Sequence, residues 1–111
     1  MKTIELSGAA LDWAVAKCEN LVTGNLHDGN DIGFIHEKGY TPSTDWEQGG
    51  PIIEREMITV GPAKHEGFMA WAWPKKDGFW GDSPLVAAMR CYVAMKLGDE
   101  VEVPEELGAP A

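Results

Sequence analysis

The chain has 111 residues, with 9 Lys plus Arg against 18 Asp plus Glu, a net charge of −9, five Trp and two Cys. That length fits one domain with one modest core, and a composition 44% hydrophobic and 24% charged excludes wholesale disorder. The acidic balance argues against nucleic-acid backbones and anionic membrane surfaces as partners, because both select clustered Lys and Arg.

No apolar run reaches the roughly 18–20 residues of a membrane span. Glu5 interrupts the only N-terminal stretch that resembles a secretory core. The protein is therefore expected in the cytoplasm, with no membrane partner. In such a reducing compartment Cys18 and Cys91 read most simply as free, packed thiols. A disulfide or a reactive thiol is the alternative.

The first predicted element is a helix. Ser7 stands where an N-cap belongs, and Leu11, Ala14, Val15 and Cys18 share one face at i, i+3, i+4, i+7 spacing. Trp13 falls off that stripe, at a core edge or facing a partner. The helix should fade near Asn20. Residues 23–39 hold four glycines among Asn and Asp, and read as a loop or hairpin with a short strand at Phe34-Ile35. The stretch from Tyr40 to Gly50 reads as a polar turn. Pro51 then suits the first turn of a short helix running through Ile52 to Met57.

Ile58-Thr59-Val60 reads as a strand stopped by Gly61-Pro62. Phe68 to Trp73 alternates with period 2. Phe68, Ala70 and Ala72 point one way, and Met69, Trp71 and Trp73 the other, until Pro74 closes the strand. Lys75 to Gly78 is a loop that Phe79-Trp80-Gly81 extends. Ser83-Pro84 opens the clearest helix, with Leu85, Ala88, Met89 and Tyr92 inward and Gly98 past its end. Glu100-Val101-Glu102-Val103 reads as a short edge strand, and residues 104–111 as a frayed tail. The sum is a small single α+β domain over 1–111: two main helices, one short helix and a small, mainly antiparallel sheet.

The segment 40–56 carries the strongest binding signal. Ser43, Thr44 and Asp45 bend backbone through side-chain hydrogen bonds. Gly49 and Gly50 allow close approach to main chain just before a helix, whose unpaired amides favour an anion. Trp46 offers a stacking face, and Arg55 is one of two arginines. Ser43, Thr44, Asp45, Trp46, Gly49, Gly50 and Arg55 are thus the candidate ligand-binding residues. The competing reading is a helix entry, with Arg55 pairing with Glu47 or Glu102. Trp71, Trp73, Phe79 and Trp80 read as core or interface, and Lys75-Lys76 as a small basic patch. His27, His36 and His65 lack metal-ligand spacing. Asp45 and Glu56 are conceivable general bases that nothing selects. No metal, cofactor or catalytic residue is expected.

Three blocks carry a family resemblance: LSGAALDWAVAK (6–17), YTPSTDWEQGGPIIERE (40–56) and PLVAAMRCYVAMKLGDEVEVPEEL (84–107). Together they resemble the NinX-like family of small phage and prophage proteins, to which no function is assigned. The resemblance implies a phage accessory product acting inside a bacterial host, and it adds weight to the middle block. It implies no reaction. The leading expectation is a non-catalytic binder of a small polar, nucleotide-derived ligand that sequesters it against host defence. Trp46 would stack the base, the Gly49 and Gly50 amides with Arg55 would hold phosphate, and Thr44 and Asp45 would bond ribose or base edge. One alternative is an acidic regulator or inhibitor of a host protein, using Asp99, Glu100, Glu102, Glu105 and Glu106. The other is a small nucleotide hydrolase built around Asp45 or Glu56. A homodimer is expected from the small size, the Trp count and the Glu-Val-Glu-Val edge.

Overall fold

The sequence from Pro84 to Leu97 is apolar nearly all round, which suits a helix with neighbours on every side. A computed structural model, which describes residues 1–26, 29–73 and 77–108, places it in that position. In chain order the helices are α1 (Gly8–Cys18), α2 (Gly29–Glu37), α3 (Trp46–Glu56), α4 (Pro84–Leu97) and α5 (Glu105–Gly108). The strands are β1 (Ile58–Pro62), β2 (Phe68–Ala72) and β3 (Phe79–Gly81), and a 3-10 turn covers Thr3–Glu5. This is an α+β fold with one three-stranded antiparallel sheet in the order β1-β2-β3.

α4 lies between two layers. One face packs on all three strands, and the others meet α1 and α3. Leu85, Ala88, Met89 and Tyr92 are buried as the spacing predicts, and so are Val86, Ala87, Cys91 and Val93. The Ser83 hydroxyl accepts from the Val86 amide at 3.1 Å, and Pro84 takes the first turn, where no amide is needed. Gly81 lets β3 run against α4, since a Cβ there would stand 2.4 Å from the Ala87 nitrogen. Arg90 ties the layers together, donating to the carbonyls of Leu6 at 2.8 Å and Trp80 at 2.7 Å.

Several sequence expectations require correction. Residues 29–37 form a helix, not a loop, hairpin or strand. Its anchor is the buried Asp31, whose carboxylate accepts from the Thr23 amide and hydroxyl and from the Gly24 amide at 2.6–2.9 Å. Burial alone would raise the Asp31 pKa, but these donors, the Thr23 hydroxyl foremost, hold it below its ordinary value. The helix expected to begin at Pro51 begins five residues earlier. Phe79–Gly81 is a strand rather than a loop extension. The expected edge strand at 100–103 is reduced to a bridge between Lys2 and Glu100, with the Met1 amine donating to the Val101 carbonyl at 3.0 Å. The tail is pinned as far as Leu107, which is buried with Val101 in the core, and α5 packs on α1. Trp13 is fully buried, with Lys17 over its ring at 5.6 Å. The positions of His27, Pro74, Lys75, Lys76 and 109–111 lie outside the described residues.

The face of the sheet turned to α4 carries Val60, Ala70, Ala72, Phe68 and Phe79, which pack in or against the core. The opposite face bears Trp71 and Trp80, both exposed, with Trp73 just beyond β2, so these three are not core.

Candidate functional site

α3 and the loop before it organise the site. Asp45 is the N-cap: its carboxylate accepts from the Glu47 amide at 3.0 Å. Gln48, three residues on, completes the helix start. Its side-chain oxygen accepts from the Thr41 amide at 2.8 Å, and its amide donates to the Gly39 carbonyl and to Asp45, each at 3.0 Å. The Ser43 amide donates to Asp12 Oδ1 on α1 at 2.9 Å, which fastens the loop to the core. Burial pushes the Asp12 carboxyl above its ordinary range against the pull of this bond.

Gly49 and Gly50 therefore sit inside the helix rather than ahead of it. The Gly49 amide donates to the Asp45 carbonyl at 2.9 Å, so it is not open to an anion. Gly50 lies in the helix interior, where its amide faces the carbonyl four residues back. Gly49 is small for a packing reason: a Cβ would stand 2.4 Å from the Pro42 carbonyl oxygen and 2.6 Å from Leu85 Cδ2. Pro51 falls mid-helix and is exposed. Much of the Ser-Thr-Asp-Trp-Glu-Gln-Gly-Gly chemistry thus serves to seat α3.

The remaining candidates separate onto two sides of α3. Ser43, Thr44 and Trp46 line a depression of about 210 Å³, together with Ser83, Pro84 and Leu85 at the start of α4. Trp46 is 57% exposed there. Arg55 belongs to a larger groove of about 350 Å³ on the other side. Its walls are Phe34 from α2, Tyr40 from the loop, Leu21, Pro51 and Ile52, and its polar rim is Glu19, Lys38, Gln48 and Arg55. Phe34 and Tyr40 stand 5.3 Å apart, centroid to centroid, with planes tilted at 45°. The groove's charged lining is two cations against one carboxylate, in a chain of net charge −9.

Arg55 is held rather than free. Nη1 and Nη2 grip Glu19 at 3.0 and 2.6 Å, Nε meets Glu56 at 2.8 Å, and Nη2 reaches the Tyr92 hydroxyl at 3.2 Å. The expected partners Glu47 and Glu102 are not the ones it takes. The Tyr92 hydroxyl also donates to Glu19. Arg55 hydrogen bonds hold the Glu19 carboxyl below its ordinary range, against the upward push of partial burial. Burial, with Glu19 and Asp12 nearby, pushes the Tyr40 phenol up. Tyr40 lines the groove with its phenol protonated at neutral pH. Both cysteines are free, and burial pushes their thiols up to about 12 for Cys18 and about 11 for Cys91, opposite to what a reactive thiol needs.

The groove contributors that sequence reasoning missed are Glu19, Leu21, Phe34, Lys38 and Tyr40. Of the groove's lining, Tyr40, Gln48, Pro51, Ile52 and Arg55 lie in the singled-out block 40–56. Phe34 was legible only if 29–37 had been read as a helix.

Among the described residues, no helix is long and apolar enough to cross a membrane. No curated protein matches the chain. The family model described as Bacteriophage P22, NinX matches residues 2–96, a span that includes the stretches 20–39 and 61–83 where the three-block resemblance was silent. The match covers most of the chain, and the protein belongs to the phage P22 NinX family.

Proposed function

We propose that this phage accessory protein is a non-catalytic binder of a small, ring-bearing polar ligand, seated in the groove between α2, α3 and the end of α1. One observation carries the reading: an aromatic wall and a locally positive rim share one groove on an otherwise acidic protein. A volume of about 350 Å³ lies within the range of small-molecule sites, which are mostly apolar with a few placed polar groups. The ligand's ring lies along Phe34 and Tyr40. Its anionic group, a phosphate or carboxylate, is met by Lys38 and the outer edge of Arg55. Glu19 and the Tyr40 hydroxyl supply an acceptor and a donor for a sugar or base edge.

Nucleotide-derived signals combine these features, and a sequestering role in counter-defence inside the host cytoplasm follows by analogy with small phage gene products. Of the residues singled out by sequence, Arg55 contacts the ligand directly in this reading. Ser43, Asp45 and Gly49 hold the wall in place. Thr44 and Trp46 border the smaller depression on the other side of α3 and take no part in this reading. Asp45 and Glu56, the conceivable bases, are engaged as helix cap and ion-pair partner, which supports binding without turnover. The test is a thermal-shift panel of linear and cyclic nucleotides and adenosine diphosphate ribose derivatives. Ligand at about 100 times its Kd adds about 2.7 kcal/mol, or a rise of several degrees in Tm. A flat panel sinks the reading.

A second reading rests on the exposed acids Asp99, Glu100, Glu102, Glu105 and Glu106, gathered by the pinned tail. It makes the protein a regulator of a basic host factor. A single stoichiometric partner that is lost when these five are neutralised would favour it over the groove.

A further inference from the structure

We infer that the uncovered face of the sheet is where two copies of this chain pair. The strand register defines that face. Thr59 lies opposite Trp71, Gly61 opposite Met69, and Met69 opposite Trp80, so these five positions share one side. α4 covers the other side only. Trp71 is 40% exposed, Trp80 44% and Trp73, one step beyond β2, 82%. Met57 and Trp73 each lie one residue beyond the pair of Ile58 and Ala72 that ends the β1–β2 register. Met57 is 80% exposed at a left-handed φ of 55°, so a large apolar side chain is held at an unfavourable backbone position with no packing inside the molecule.

Trp80 is fixed in advance. Its indole Nε1 donates to the Glu66 carbonyl at 2.7 Å, and its ring lies so close over Gly67 that a Cβ there would stand 2.5 Å from Cζ2. A ring already immobilised loses little entropy on association.

Three features select a second copy as the occupant. First, none of the five positions is charged, so the face has no charge of its own with which to steer a basic partner. What it offers is mainly the apolar surface of Met69, Trp71 and Trp80, which a second copy would present in kind across a two-fold axis. Second, the three tryptophans together expose about 1.7 full Trp surfaces, on the order of 250–400 Å². With Met57 and the exposed part of Met69 added, this comes to roughly 500–600 Å² per partner, the low end of specific interfaces. Third, α5 with Glu105 and Glu106 packs on α1 rather than on the strands, so these acids do not crowd a face-to-face pairing of the sheets.

Sedimentation equilibrium on the full chain tests this, with Trp71→Lys and Trp73→Lys alongside. The wild type should sediment at twice its 12.1 kDa chain mass at about 100 μM. Each variant should weaken association by at least about 30-fold, as expected for a central Trp anchor, while keeping the wild-type circular dichroism spectrum. Trp73→Lys keeps the test sound if Trp71→Lys fails to fold. A wild type that sediments at the chain mass overturns the proposal, whatever else that face binds. So does a dimer that both variants leave intact.

Discussion

At Gly49 a Cβ would press on the Pro42 carbonyl at 2.4 Å, whereas at Gly50 the nearest atom is Trp46 Cε3 at 3.9 Å. The same substitution should therefore have opposite signs at adjacent positions. Gly49→Ala is expected to cost about 1–3 kcal/mol through overpacking. Gly50→Ala should stabilise by about 0.5–1 kcal/mol through helix propensity. Urea unfolding of the two variants checks both signs. The sequence invites treating the two glycines as a pair, because only the three-dimensional approach of Pro42 and Leu85 distinguishes them. A second residue-scale prediction concerns Glu19. Its folded pKa lies below the unfolded value because Arg55 bonds the charged form. That stabilisation is present above the ordinary Glu value, about 4.3, and is lost as pH falls through the depressed folded value. Glu19→Gln should accordingly lose less stability than the wild type between about pH 5 and pH 3, followed by thermal unfolding.

At the scale of elements, legibility followed how far each element's signals were local. α4 was readable because Ser83, Pro84 and Gly98 punctuate it and its apolar stripe is long. The alternation in β2 was readable for the same kind of reason, and its two faces are those the pattern gives. α2 was not, because Gly29, Asn30 and Gly33 are poor helix formers. What holds it is tertiary: Ile35 buried in the core, and Asp31 bonded to Thr23 and Gly24. α3 was begun too late for a related reason. Gly-Gly-Pro looks like a breaker, but the Asp45 cap and the Gln48 bridge to Gly39 and Thr41 start the helix before it. The tail was misread because Val101, Pro104 and Leu107 are too sparse to show a pattern, yet all three are buried. Leu107→Ala should cost about 2–3 kcal/mol, as for a buried leucine. A frayed tail would cost nothing, and calorimetric unfolding distinguishes the two.

At the scale of the molecule, charge and tryptophan are unevenly distributed over the surface. The charge is carried mostly away from the groove, whose lining is locally positive, and away from the sheet face, whose outward positions are neutral. The tryptophans divide likewise: Trp13 in the core, Trp71, Trp73 and Trp80 about the open sheet face, and Trp46 beside the smaller depression. Of the residues that sequence reasoning singled out, Arg55 lines the groove and Trp46 the depression on the other side of α3. The pairing of Phe34 with Tyr40 was not legible, because the two meet only once α2 has folded against the loop. Calorimetric titration with the strongest binder from the nucleotide panel decides whether the groove holds the ligand. Arg55→Gln is expected to weaken binding at least about tenfold, as for a lost charge-assisted contact, while Trp46→Ala leaves the affinity within about twofold. Loss of binding in Trp46→Ala with Arg55→Gln unaffected would rule out the groove and move the site to the start of α4.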